Sequence, residues 1–228
     1  MKKVLLSWSS GKDSAWTLHV LRQRADIEIT ALLTTFNAAA DRVAMHAVRR
    51  DLVHAQAERT HLPLWEVELP WPCSNEEYES RMRAVCDRAV ANGVEAVAFG
   101  DLFLEDIRVY RERQLAGTGL EPIFPIWGLP TAALAREMIG AGVKARISCV
   151  DPARVPRSLA GRDFDAMLLA ELPPTADPCG ENGEFHTFVY DAPVFDRPID
   201  VESGIVVERD GFVFADVIGT TPSSVTGA

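Results

Sequence analysis

The sequence predicts an α/β fold: a parallel sheet with helices on both faces over 1–150, a smaller mixed C-terminal subdomain over 151–220, and a disordered tail over 221–228. Three observations point there. Apolar runs of strand length alternate with helical patterns of about 10–15 residues, which is how βαβ units read. Small polar loops follow several of the strand-like runs. After about residue 151 the alternation stops. Pro152, Pro156, Pro173, Pro174, Pro178, Pro193 and Pro198 then punctuate the chain, with short β-like runs between them.

The elements follow in order. Lys3–Trp8 reads as a short buried strand. Ala15, Leu18, Leu21 and Ala25 mark one face of a helix, and Glu28–Phe36, rich in apolar and β-branched residues, reads as a second strand. Met45, Val48, Leu52 and Ala55 mark a second helix, and Leu64–Leu69 is a third strand closed by Pro70 and Pro72. Ser74 or Asn75 caps the next helix, where Glu76 and Glu77 suit the positive end of its dipole. Its buried face is Tyr78, Met82, Val85 and Ala89, and Asn92-Gly93 ends it. Val94–Phe99 is a fourth strand, Glu105–Leu115 a helix, Thr131 caps a helix that runs through Ile139 and is stopped by Gly140, and Lys144–Val150 is a strand. Thr187–Tyr190, Ile205–Glu208 and Phe212–Val217 are β-like, with Asp210-Gly211 a hairpin turn.

Composition narrows the function classes. The chain has 228 residues, 47% hydrophobic and 25% charged, which is ordinary for a globular protein. No stretch reaches the ~20 apolar residues of a membrane span. The apolar run of MKKVLLSW is too short for a signal peptide, so a cytoplasmic protein is expected. Cys73, Cys86, Cys149 and Cys179 form no C-x-x-C pair, which argues against a zinc ribbon or redox dithiol and for reduced, packed thiols. The net charge is −10, and the densest basic cluster (Arg108, Arg111, Arg113) is diluted by Glu105, Asp106 and Glu112. Nucleic-acid binding is therefore not expected, nor is a membrane partner; a homodimer is left open.

Right-handed crossovers bring the loops after parallel strands to one sheet edge, where ligands bind in such folds. Ser9–Ser14, Asn37–Arg42 and Gly100–Arg108 meet there. The first of these, in SWSSGKDS, matches neither a Walker A loop nor a G-x-G-x-x-G fingerprint. It keeps the physical logic of a phosphate site. Helix-start amides lack intrahelical partners, and the dipole adds positive charge there. Gly11 permits close approach, and Ser9, Ser10 and Ser14 offer hydroxyls. Lys12 adds charge, and Asp13 could hold Mg²⁺ between phosphates. The plainer alternative is a Ser/Asp cap beside a turn glycine. The second unusual stretch is CGENGEFHTFV, residues 179–189. It gathers Glu181, Asn182, Glu184 and His186 around Gly180 and Gly183, a set able to orient a nucleophile or move a proton. Its plainer alternative is a glycine-rich turn with solvated acids. The spacing matches no zinc pattern.

SSGKDS closely resembles the pyrophosphatase loop S-G-G-x-D-S of the adenine-nucleotide alpha-hydrolase (PP-loop) superfamily, with Ser10 in place of the first glycine. Taken with SSGKDS, the GENGEFHT segment resembles the signature of the diphthine–ammonia ligase (diphthamide synthase) family. So does 98–128, with Gly100, Asp101, Arg108, Glu112, Gly119, Pro125 and Trp127. The resemblance covers about residues 3–190. It implies a Rossmann-like parallel sheet and an AMP-forming ligation of ammonia to a carboxylate, with ATP and Mg²⁺ as cofactors. The partners it implies are ATP, ammonium and a carboxylate acceptor. It assigns Ser9, Ser10, Gly11, Lys12, Asp13 and Ser14 to the ATP phosphates, with Asp13 as metal ligand and Asn37, Gly100 and Asp101 near the nucleotide. Glu181, Asn182, Gly183, Glu184, His186 and Thr187 fall on the acceptor or ammonia side. Lys12, Asp13, Glu181, Glu184 and His186 are the catalytic candidates. Glu184 or Glu181 would take the ammonium proton. Arg108 either neutralises phosphate or a substrate carboxylate, or pairs with Glu112 at i, i+4. His46 is a candidate to reach the cleft, whereas His19, His54 and His61 read as surface or packing residues. The alternatives are the same chemistry on a small-molecule carboxylate, as in cofactor or corrinoid salvage, and a non-catalytic nucleotide-binding module. Thiolation or lysidine formation on tRNA is disfavoured by the missing C-x-x-C pair and basic stripe.

Overall fold

The computed structural model of the chain describes residues 1–43 and 47–220. The expectations for Met45, His46 and the 221–228 tail lie outside the described residues. The first sheet contains β1 (Lys2–Ser7), β2 (Ile27–Asn37), β3 (Arg42–Val43), β4 (Leu64–Leu69), β5 (Ala96–Ala98) and β6 (Glu121–Ile123). Its order is β3-β2-β1-β5-β6, and β4 also pairs with β2. All these pairings are parallel except that of β3 with β2.

Alternate residues of the strands enter two different cores, as a sheet buried on both faces requires. Val4, Leu6, Leu32 and Ala98 pack towards α1 (Lys12–Arg22) and α2 (Arg50–Thr60). Leu5, Leu33, Val97 and Phe99 face α3 (Asn75–Ala91) and Leu115 of α4 (Glu105–Leu115). Ser74 is the cap of α3, accepting from the Glu77 amide at 3.1 Å. The helix α1 ends at Arg22, three residues before Ala25, which is exposed. Pro130, not Thr131, stands at the cap position of α5 (Thr131–Gly140).

The second sheet is antiparallel, in the order β8-β7-β10-β9. It comprises β7 (Lys144–Val150), β8 (Phe185–Asp191), β9 (Val201–Arg209) and β10 (Phe212–Gly219); the short helix α6 (Ala166–Glu171) precedes β8. Thus β7, expected to continue the βαβ alternation, pairs with β8 and β10 instead. Ala145, Ile147, Phe185, Phe188 and Val213 join the same hydrophobic core as Val4 and Leu6, so the two sheets share one interior.

Candidate active site

The loop after β1 is held by buried hydrogen bonds from distant parts of the chain. The Trp8 indole donates to Gln56 Oε1 at 2.8 Å, and Gln56 Nε2 donates to the Ser10 carbonyl at 3.0 Å. The Val189 amide of β8 donates to the same carbonyl at 3.0 Å. Ser10 sits at φ 69, the left-handed region that a glycine occupies without strain. It is the one position where this loop departs from the S-G-G-x-D-S pattern. Gly11 then starts α1, whose first amide, Lys12 N, donates to Thr187 Oγ1 at 3.0 Å. The next first-turn amides, of Asp13 and Ser14, have no intrahelical acceptor. Ser9 Oγ donates to Ser14 Oγ at 3.3 Å, and Ser14 Oγ to the Gly11 carbonyl at 2.9 Å.

Lys12 is buried, at 2% exposure. Its ammonium donates to both carboxylate oxygens of Asp13, at 3.0 and 2.8 Å, and to the Cys179 carbonyl. It lies 5.5 and 5.6 Å from the ring centroids of Phe164 and Phe185. Lys12 therefore ties the loop to the 179–189 segment.

A cleft of about 370 Å³ opens beside this loop. Ser9, Lys12, Asp13 and Ser14 line one wall, Gly100, Asp101 and Arg111 another, and Cys179, Gly180, Glu181, His186 and Thr187 a third. Space is tight at Gly100: a Cβ there would lie 3.1 Å from Thr17 Oγ1 and 3.2 Å from the Asp13 backbone. Gly180 is required by space and by conformation, with φ +74 and a Cβ that would fall 2.7 Å from the Phe185 carbonyl oxygen.

The carboxylates of the cleft differ. Glu181 Oε1 accepts from the Leu102 amide at 2.7 Å and, more weakly, from Phe103 at 3.4 Å. Burial, with Asp13 and Asp101 adding repulsion, outweighs those bonds and raises its pKa to about 7. Burial also raises Asp101, against the pull of Arg111, and raises Asp13, against the pull of Lys12. His186 is pushed down to about 4 by burial and then by Lys12, so its imidazole is neutral near pH 7. The Cys179 thiol is raised to about 12 by burial, which leaves it unreactive.

The other expected residues are placed differently. Glu184 is buried, with Oε1 accepting from the Asp177 amide at 2.9 Å and from Asn182 Nδ2 at 3.1 Å; it braces the loop and does not line the cleft. Asn182 is spent on that bond, and Gly183 forms the turn at φ +85. Asn37 accepts from the amides of Ala39 and Ala40, closing its own loop. Arg108 pairs with Glu112 at 2.9 Å and stacks over Phe124 and Trp127, outside the cleft lining. Arg111, one helical turn on, is the arginine that lines the cleft; sequence reasoning missed it. No three His, Cys, Asp or Glu side chains are grouped to hold a metal ion among the described residues.

The two-sided parallel sheet and the loop between β1 and α1 define an α/β protein of PP-loop type. The chain belongs to the diphthamide synthase family. Residues 1–122 match the family model described as the diphthamide synthase N-terminal domain, and residues 130–214 match that of its C-terminal domain. It is 32% identical over 129 residues to the diphthine–ammonia ligase of Homo sapiens, covering 54% of this chain and 48% of that one. The chain thus spans about half the length of the human and bovine relatives it matches. With the protein of that name from Danio rerio it shares 26% identity over 230 residues, covering 92% of this chain and 90% of that one. A solved structure from Methanocaldococcus jannaschii, described as a predicted subunit of tRNA methyltransferase, aligns with a TM-score of 0.38 and 14% identity, over 64% of this chain and 78% of that one. No helix of the described residues is long and apolar enough to cross a membrane.

Proposed function

We propose that this chain is an ATP-dependent ligase that converts a carboxylate to an amide with ammonia, as the names of its relatives suggest. In this reading the loop 9–14 takes the phosphates of ATP at the start of α1. The acceptor carboxylate attacks the α phosphorus, the bond to the β phosphate breaks, and pyrophosphate leaves. Ammonia then attacks the acyl carbon and AMP departs. Mg²⁺ would neutralise phosphate charge and is suited to a site of one or two carboxylates plus phosphate oxygens. Asp13 and Asp101 are the residues available for it. The fit rests on Asp101 Oδ2, a buried oxygen with no hydrogen-bond partner.

The observation that carries the proposal is Glu181, a carboxyl with a pKa of about 7 in the same cleft as the phosphate-type loop. Ammonium must lose a proton before nitrogen can attack, and a base is most effective with a pKa near the working pH. Glu181 is assigned that proton. His186, neutral, is assigned an orienting role, and Glu184 a bracing one. The acceptor is proposed to be diphthine, with a small-molecule carboxylate as the alternative.

The test is product analysis. The protein is incubated with MgATP, ammonium and either a diphthine-bearing protein or a panel of small carboxylates. AMP and pyrophosphate formed together with an amide are expected. ADP as the nucleotide product would refute the reading, and tight ATP binding with no turnover on any acceptor would favour a binding module.

A further inference from the structure

The cleft is unusually acidic for a place that receives a polyphosphate. Asp13, Asp101 and Glu181 all line it. Of its two cationic side chains, Lys12 is already spent on Asp13 and the Cys179 carbonyl. The second is Arg111, which projects from α4 beside Ile107, the residue one turn earlier on the same wall.

Arg111 is held but not satisfied. Its guanidinium carbon lies 5.0 Å from the Phe99 ring centroid, within cation–π range. Its Nε is 3.8 Å from Asp101 Oδ2, close enough for attraction and too far for a hydrogen bond. Both atoms are buried and neither has a hydrogen-bond partner. A buried donor and a buried acceptor of opposite charge, both unmet and both on the wall of one cleft, describe a ligand that brings an acceptor and a cation together. A metal-bound polyphosphate does so: a phosphate oxygen accepts from Arg111 while its divalent cation meets Asp101.

We infer that Arg111 is a phosphate-binding residue of the cleft, contacting the phosphate chain of ATP from the wall that carries Gly100 and Asp101. This rests on the proposed ATP-dependent function. It assigns to Arg111 a role that the sequence motif suggested for Arg108, which is engaged with Glu112.

The test measures binding of MgATP, adenosine and pyrophosphate to the full chain by calorimetry, for the wild type, Arg111→Met and Arg111→Lys. Thermal melting of each apoprotein confirms folding. Arg111→Met is expected to weaken MgATP and pyrophosphate at least tenfold and to leave adenosine within twofold. Arg111→Lys keeps the charge but not the planar fork, so it should fall between the two. A folded variant, of either kind, that binds MgATP as tightly as the wild type would overturn the inference while leaving the ligase reading standing. A wild type that binds no MgATP would overturn both.

Discussion

Ser10 and Glu181 each carry a cost that the site makes intelligible. At φ 69 a residue with a Cβ loses about 1–2 kcal/mol relative to a right-handed conformation. The Ser10 hydroxyl is also buried with no partner. Replacement by glycine relieves both and concedes about 0.5–1 kcal/mol of unfolded-chain entropy. Ser10→Gly is therefore expected to raise stability by about 1 kcal/mol in urea unfolding; a destabilised variant would show that the hydroxyl has a structural use. Glu181 makes the opposite kind of prediction, one of pH. Its folded pKa, about 7, lies above its ordinary value of 4.5, so the folded state holds the proton more tightly than the unfolded chain does. Stability should fall as pH rises between those values and level off above, and Glu181→Gln should remove that fall. Turnover should behave inversely, rising through about pH 7 as the base ionises, whereas the glutamine variant should be about a hundredfold slower and flat across that range. A wild-type pH–rate profile retained by Glu181→Gln would exclude Glu181 as the proton acceptor.

The element most dependent on its neighbours is α1. Its first amide is bonded by a side chain of β8, not by a cap of its own, since Gly11 has no side chain to offer. Thr187→Val preserves shape and leaves the Lys12 amide without its acceptor, and should cost about 1–3 kcal/mol in chemical denaturation. A loss under about 0.5 kcal/mol would mean the amide finds another partner. This dependence also explains what the sequence could reveal. Segments whose burial follows a clear period were legible: β4, α4 and β7 have the predicted bounds, and Ser74 caps α3 as its position suggests. Three residues with a proline in the middle, as in β6, offer no period to read. The sheet to which β7 belongs was not legible, because pairing with β8 and β10 joins residues far apart in sequence. The phosphate-type loop and the Gly180–Thr187 segment were legible as motifs, whereas the different placements of Glu181 and Glu184 were not. Both are acids in one glycine-rich stretch, and only the backbone path decides which one lines the cleft. Arg111 escaped notice for a related reason. Leu115 is the one buried residue of α4, so the helix has almost no apolar stripe from which to infer its orientation.

At the scale of the whole molecule, the two sheets share an interior, and the site lies where they meet. Gln56 stands at that junction, fully buried, accepting from Trp8 and donating to the carbonyls of Ser10 and Val189. Asp216 of β10 makes a second link, to Arg42 at 2.8 Å and Arg49 at 2.5 Å. These ties have a consequence in time. The loop that would grip phosphate is made more than 170 residues before the partners that shape it, Thr187 and Val189. A ribosome translating this protein therefore carries an unfinished grip while those residues are added. Nascent chains stalled near residue 170 should fail to retain immobilised ATP, and chains stalled with residues through 220 clear of the exit tunnel should retain it; equal retention by both would mean that the N-terminal loop acquires its shape unaided.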